Sequence, residues 1–145
     1  MPLLPRKGVL AIAAVIDVAL QAHGHPISAK TLAARHGLPP RHLEPVLQAL
    51  VRDGILKGIR GPRGGYELAR ERQRVTANDI LRAAGTVEDT DDPPAGSELL
   101  NKVVLPALAG AELEFGIALS RINVEDMARS AETLSKPDAG PATGA

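Results

Sequence analysis

The chain has 145 residues, 17 basic and 17 acidic side chains, and no cysteine. This length suits one compact domain with an extension, and the missing cysteines exclude disulfides, thiolate zinc sites and cysteine-ligated iron–sulfur clusters. One Tyr, one Phe and no Trp argue against an aromatic platform for single-stranded nucleic acid.

The charges are unevenly distributed along the chain. Residues 1–74 hold 12 Lys/Arg and 5 Asp/Glu, whereas residues 75–145 hold 5 and 12. The basic front half suits a polyanion, and we expect the acidic rear half to face solvent or a different partner. No uninterrupted apolar run reaches the ~18 residues of a membrane span, and prolines interrupt the start. We therefore expect a cytoplasmic protein without a secretory signal or a membrane partner.

Apolar residues at helical spacing predict a first helix over residues 9–22, buried on most sides. The turn that follows contains His23 and His25. Two histidines without a third ligand nearby favour a plain turn over a metal site. A short second helix is predicted to begin after Ser28 as N-cap and to end at Gly37 in a left-handed conformation.

The third predicted helix ends at Arg52. Its apolar residues form one stripe: Leu43, Val46, Leu47, Leu50 and Val51. Because proline is tolerated in a first turn but not in a helix interior, Pro45 leads us to expect regular helix to start nearer Arg41 or His42 than Pro40.

A cationic Gly/Pro turn over residues 60–66 separates two short runs with strand character, 55–59 and 66–68. This pattern predicts a β-hairpin with Arg60 and Arg63 at its tip. The glycines keep side chains off the tip, and guanidinium groups suit phosphate. The alternative is a solvated hairpin tip with two incidental arginines.

Helix, short helix, turn, polar-faced helix and cationic hairpin is the order of a winged helix-turn-helix, so the predicted fold class is mainly α with a small β-hairpin wing. The third helix would enter the major groove. Its polar face carries donors and acceptors for base edges: Arg41, His42, Glu44 and Gln48. The alternative is a solvated amphipathic face, and the charge asymmetry favours DNA.

At these residues the chain resembles the Rrf2 family of bacterial transcription regulators. Lys7-Gly8, Leu43-Glu44 and the wing sequence over 59–68 carry the resemblance, which extends from about residue 6 to 85 and weakens beyond. It implies a homodimer that binds inverted repeats, mostly as a repressor, with His42 and Glu44 at bases and Arg60 at DNA. The predicted DNA contacts are Ser28, Lys30, Arg41, His42, Glu44, Gln48, Arg60, Arg63, Gly64 and Tyr66.

A further helix is predicted over residues 76–84, with a capping box at Thr76 and Asp79 and a hydrophobic staple of Val75 and Ile80. An acidic, Pro-containing linker loop follows at 86–97. Its carboxylates lack the spacing of a calcium loop, which favours a solvated loop. Well-known Rrf2 members carry three cysteines in this region that bind an iron–sulfur cluster. This chain has none, so we expect no such cofactor.

Ser97 is predicted to cap a long helix over residues 98–122, which Pro106 should kink. Its apolar residues form a heptad-like stripe: Leu100, Val104, Leu108 (or Ala107), Ala111, Phe115, Ala118 and Ile122. The stripe exceeds the needs of a small domain, which favours dimerisation over a helix folded back on its own domain. A final helix starts at Asn123, the dimerisation helices together span 98–135, and residues 136–145 are expected to be a disordered tail.

The sequence thus predicts a homodimeric DNA-binding regulator, with residues 1–85 as the DNA-binding domain and no catalytic or metal-binding residues. Two alternatives stay open. One is a winged-helix module that binds protein, and the other is a regulator gated by a small-molecule effector between the wing domain and the dimer helix.

Overall fold

The computed structural model describes residues 4–21, 25–85 and 97–135. The elements in chain order are α1 (Arg6–Leu20), α2 (Ala29–Arg35), α3 (Pro40–Arg52), β1 (Leu56–Ile59), β2 (Gly65–Leu68), α4 (Ala77–Ala83), α5 (Leu105–Ser120) and α6 (Val124–Ser135). The fold class is as predicted. His23, most of the predicted linker loop (86–96) and the predicted tail (136–145) lie outside the described residues.

Helix α1 lies at the centre of the fold and packs against α3, α4, α6 and β2. Its small buried residues, such as Ala11 and Ala14, let the neighbouring elements approach closely. The helix begins at Arg6, three residues before the predicted start, because the Pro5 carbonyl accepts hydrogen bonds from the Gly8 and Val9 amides at 3.0 and 3.1 Å. The spacing of apolar residues cannot reveal a first turn made of polar residues.

Helix α2 has the predicted ends. The Ser28 hydroxyl accepts a hydrogen bond from the Thr31 amide at 3.1 Å, and Gly37 has φ of 65°. The Ser28 cap spans three residues and the left-handed φ belongs to a single glycine, so the local sequence predicts both ends well.

The predicted start of α3 was wrong, because the helix begins at Pro40 itself. A proline in the first helical position loses no hydrogen bond and has a φ already suited to the helix. Pro45 therefore lies in the second turn, where its ring removes the amide that would bond to the Arg41 carbonyl. Four residues of the predicted apolar stripe are buried, with Leu43, Leu47 and Leu50 fully inaccessible, and Val51 is half-buried.

Strands β1 and β2 form an antiparallel hairpin in which Leu56 pairs with Leu68 and Ile59 with Gly65. A third segment joins it, which the sequence did not predict. The Ile27 amide donates to the Tyr66 carbonyl at 3.1 Å, and the Tyr66 amide donates to the Ile27 carbonyl at 2.8 Å. The pair fixes the hairpin to the segment that leads into α2.

Helix α4 confirms the predicted capping box. The Asp79 amide donates to the Thr76 hydroxyl and the Thr76 amide to the Asp79 carboxylate, both at 3.1 Å. The staple residues Val75 and Ile80 are fully buried. Helix α6 begins beside this turn, because the Val124 amide donates to the Val75 carbonyl at 2.8 Å.

The long C-terminal helix begins as predicted, with the Ser97 hydroxyl accepting from the Leu100 amide at 3.1 Å. Sequence predicts a kink at Pro106. The structure places a π-helical segment, Leu100–Val104, directly before α5. The Leu105 amide there reaches back five residues to the Leu100 carbonyl, and this wider turn accommodates a proline that cannot donate.

Helix α5 is largely uncovered. All residues from 101 to 115 are exposed, and only Gly116 and Leu119 of α5 are half-buried, toward α4. Within the described part of the chain, Leu100–Ser120 is the one helix long and apolar enough to cross a membrane by length and composition. The search for uninterrupted apolar runs did not identify this helix, because Lys102, Glu112 and Glu114 interrupt its apolar sequence.

Candidate nucleic-acid interface

The polar face of α3 is available for contact with a partner. Arg41, His42, Glu44 and Gln48 are all exposed, while the apolar stripe of the same helix anchors it in the core. Over the described residues, none of these four side chains takes part in a hydrogen bond or an ion pair. The face therefore combines a rigid backbone with four uncommitted polar groups.

Arg60 and Arg63 lie in the loop between β1 and β2, and both are exposed. A Cβ on Gly64 would collide with the carbonyl oxygens of Ile59 and Gly61, and one on Gly65 would collide with the backbone of Ile27. Glycine is thus required at both positions by packing within the protein. The sequence analysis had assigned the glycines only to keeping side chains off the tip.

A cleft of about 370 Å³ separates the wing tip from the start of α2. Its lining brings Ser28, Arg63 and Gly64 together, three residues predicted to contact DNA. It also includes His25 and Thr31, which the sequence analysis did not assign to DNA. The Ser28 hydroxyl donates to the Thr31 hydroxyl at 3.0 Å. Because an N-cap residue bonds to the residue three positions later, the sequence could have placed Thr31 next to Ser28.

The other two predicted contacts differ in accessibility. Lys30 is exposed on α2. Tyr66 is half-buried in β2 and packs against the core, with its backbone committed to Ile27.

Most of the predicted dimerisation stripe lies on the exposed helix, but α5 ends at Ser120, two residues before the predicted end, so Ile122 lies outside the helix. Phe115 is 39% exposed, Leu108 54% and Ile122 43%. Large apolar side chains also occupy other faces of this helix, among them Leu113 and Ile117. The apolar surface is therefore wider than one heptad seam.

A family model described as Rrf2, iron-dependent transcriptional regulator, matches residues 4–130. The HTH-type transcriptional regulator IscR of Xenorhabdus nematophila is 26% identical over 141 residues, which cover 93% of this chain and 84% of that protein. A Haemophilus influenzae protein named as an HTH-type transcriptional regulator is 36% identical over 80 residues, which cover 55% of this chain and 53% of the relative. The chain thus spans about half the length of this relative.

Solved structures with the same fold cover more of the chain. The T. potens IscR structure has a TM-score of 0.72 and 27% identity, and covers 94% of this chain and 93% of that one. The B. subtilis CymR structure, the global cysteine regulator, has a TM-score of 0.67 and 27% identity, and covers 90% and 98%.

The donor set of this chain does not fit a thiolate-bound iron centre. It contains no cysteine. In the residues that the structure describes, no group of three or more His, Asp or Glu lies close enough to hold a metal ion. Despite this difference from the iron named in the family description, the match over residues 4–130 and the shared fold show that the chain belongs to the Rrf2 family of transcription regulators.

Proposed function

We propose that this protein binds an inverted-repeat DNA operator as a homodimer and represses transcription from the cytoplasm, without an iron–sulfur cluster and without catalytic activity. The observation that carries the proposal is the pairing of an uncommitted polar face on α3 with an exposed arginine loop on the wing. Family membership supports DNA as the partner.

In this proposal α3 lies in the major groove, with Arg41 and His42 of its first turn at base edges. Arg60 and Arg63 follow the backbone or the minor groove, and Ser28 and Lys30 approach phosphate from the start of α2. Their placement on the exposed surface of α2, α3 and the wing supports this arrangement.

Glu44 has a distinct part in the proposal. A carboxylate close to phosphates is unfavourable unless it accepts a hydrogen bond, and the amino group of cytosine is the donor that the major groove offers. Glu44 is exposed and unpaired over the described residues, which leaves it free for this contact.

A second copy of the chain is the proposed cover for α5. Large apolar side chains exposed along a helix favour association with other protein that covers them. Glu112 and Glu114 within the helix make a membrane span the weaker interpretation. Two copies would then place two α3 helices about 34–36 Å apart, one turn of duplex.

A small-molecule effector is compatible with this proposal. A cavity of about 280 Å³ lies behind the wing, between the end of α1 and β2, with Val18, Leu68 and Arg72 in its lining. This position differs from the site between the wing domain and the dimer helix that the sequence analysis considered.

The test is a salt series of fluorescence anisotropy titrations. The probes are duplexes tiling the DNA upstream of the chain's own coding sequence, with scrambled duplexes of equal length and composition as controls. One tile should bind at least ~10³-fold more tightly than its scrambled partner, and log K should fall linearly with log salt. Equal binding of all duplexes, confirmed by selection from a random duplex pool that enriches no inverted repeat, would contradict the proposal.

A further inference from the structure

The turn that follows α3 is closely defined by hydrogen bonds. Gly54 has φ of 77°, the Gly54 amide donates to the Val51 carbonyl and the Ile55 amide to the Leu50 carbonyl, each at 3.0 Å. This pair of bonds closes the helix and reverses the chain into β1. Asp53 and Gly54 are exposed, and their carbonyls are open to donors from water or from another side chain.

Arg70 supplies those donors from the far end of the hairpin. Its Nε donates to the Gly54 carbonyl at 3.1 Å, and its Nη2 donates to the Asp53 carbonyl at 3.0 Å. Its Nη1 lies 3.9 Å from the carboxylate of Asp79. One guanidinium therefore joins the exit of the wing, the end of α3 and the capping box of α4.

The two carbonyl bonds are the main part of this contact. The Arg70 and Asp79 side chains are 40% and 36% exposed, so water screens their ion pair and weakens it. Bonds from a charged donor to two successive carbonyls have a fixed geometry, because the guanidinium is planar. A lysine has no second donor in that plane.

This contact lies at the opposite end of α3 from the residues proposed to read bases, so it can affect their positions. Helix α3 has 13 residues, a length of about 20 Å, so a tilt of about 5° at the Arg70 end would move Arg41 by about 1.7 Å. Hydrogen bonds to base edges tolerate only a few tenths of an ångström. A small change in the tilt of α3 at the Arg70 end would thus disturb base reading at the other end.

We propose that Arg70 is a positioning residue that holds α3 at a fixed angle to the wing and so sets base discrimination without contacting DNA. This inference rests on the proposed function. Loss of a phosphate contact would lower the salt dependence of binding and leave base discrimination unchanged, whereas loss of a positioning contact should lower discrimination and leave the salt dependence unchanged.

The test compares Arg70→Gln and Arg70→Lys with two controls. Arg74→Gln removes the same charge from an exposed arginine whose ion pair is with Glu71. Val124→Ala lowers stability from a fully buried position in α6. Each protein is titrated with the operator tile and with tiles carrying single base-pair changes in one half-site, at several salt concentrations.

We expect Arg70→Gln to reduce the affinity ratio of matched to mismatched operators about tenfold. The salt slope, which is the slope of log K against log salt concentration, should stay unchanged. Arg70→Lys should lie between Arg70→Gln and the wild type, and both controls should keep the wild-type ratio. An unchanged ratio in Arg70→Gln would overturn the inference. A salt slope lower by about one with an unchanged ratio would also overturn it, because Arg70 would then be a phosphate contact. If Arg70→Gln does not fold, Arg70→Lys decides by the same criteria.

Hydrogen exchange gives a readout that does not need DNA. Without the Arg70 bonds, the amides of Gly54, Ile55 and Ala69 should exchange faster, while those of α6 keep wild-type rates. If the wild type shows no operator preference, the proposed function fails, and unchanged exchange in the Arg70 variants would then separately reject the role of Arg70.

Discussion

Arg60 and Arg63 share one exposed loop, but we expect different consequences when each is removed. The family resemblance implies that Arg60 contacts DNA, so we expect Arg60→Ala to weaken operator binding by about 1–3 kcal/mol if the contact is to a base edge. Arg63→Ala should mainly lower the salt slope by about one, as expected for loss of a phosphate contact. Anisotropy titrations over a salt series measure both quantities.

Arg129→Ala is the control for the wing arginines, because Arg129 is an exposed arginine on α6 that pairs with Glu125 at 2.9 Å. It should bind like the wild type. If the Arg60 and Arg63 variants also bind like the wild type, the wing is not part of the interface.

Glu44 tests base reading by α3. Glu44→Ala should relax the base preference at one operator position more than it weakens total affinity, because it removes both a specific acceptor and a charge that phosphates repel. Competition titrations with single-position operator variants measure the preference. Glu71→Ala removes the same charge from an exposed site and should leave the preference intact. An unchanged preference at every position in Glu44→Ala would exclude base reading by this residue.

At the scale of elements, the attachment of the wing depends on glycine at one specific strand position. Gly65→Ala would place a Cβ against the Ile27 backbone, whereas Gly58→Ala, in the partner strand, meets no atom within 4 Å. We expect Gly65→Ala to lower the free energy of unfolding by about 1–3 kcal/mol. Gly58→Ala should change it by less than about 0.5 kcal/mol. Urea denaturation of both variants measures the difference, and equal stabilities would mean that Ile27 does not pair with the wing.

The ends of elements were predictable where one short contact sets them. Ser28, Thr76 and Ser97 each bond to an amide three residues along the chain, and these three caps were read from the sequence. The starts of α1 and α3 were predicted at the wrong residues. Backbone geometry at Pro5 and Pro40 determines these starts, and the spacing of apolar residues does not show it.

At the scale of the whole molecule, we expect the predicted seam on α5 to determine assembly. Phe115→Asp would place a carboxylate in an apolar seam that contributes about 1.5–3 kcal/mol per buried Phe. We expect a monomer in sedimentation, with operator affinity lost and the DNA-binding domain still folded. Leu113→Asp introduces the same charge about 200° around the helix, at a residue that is 66% exposed. That variant should remain dimeric. A dimeric Phe115→Asp protein with normal operator affinity would place the interface elsewhere.

The sequence by itself determined the fold class, the polar face of α3, the hairpin and the caps, because each rests on periodicity or on contacts between residues close in the chain. Only the tertiary structure decided how these parts are joined. Ile27 pairs with Tyr66 across 39 positions, and Arg72 donates to the Ala19 carbonyl, 53 residues earlier in the chain. Arg70 reaches back 16 residues to the end of α3. Such contacts leave no local pattern, because any exposed arginine or strand residue in the sequence could have made them, and packing around α1 selects which one does.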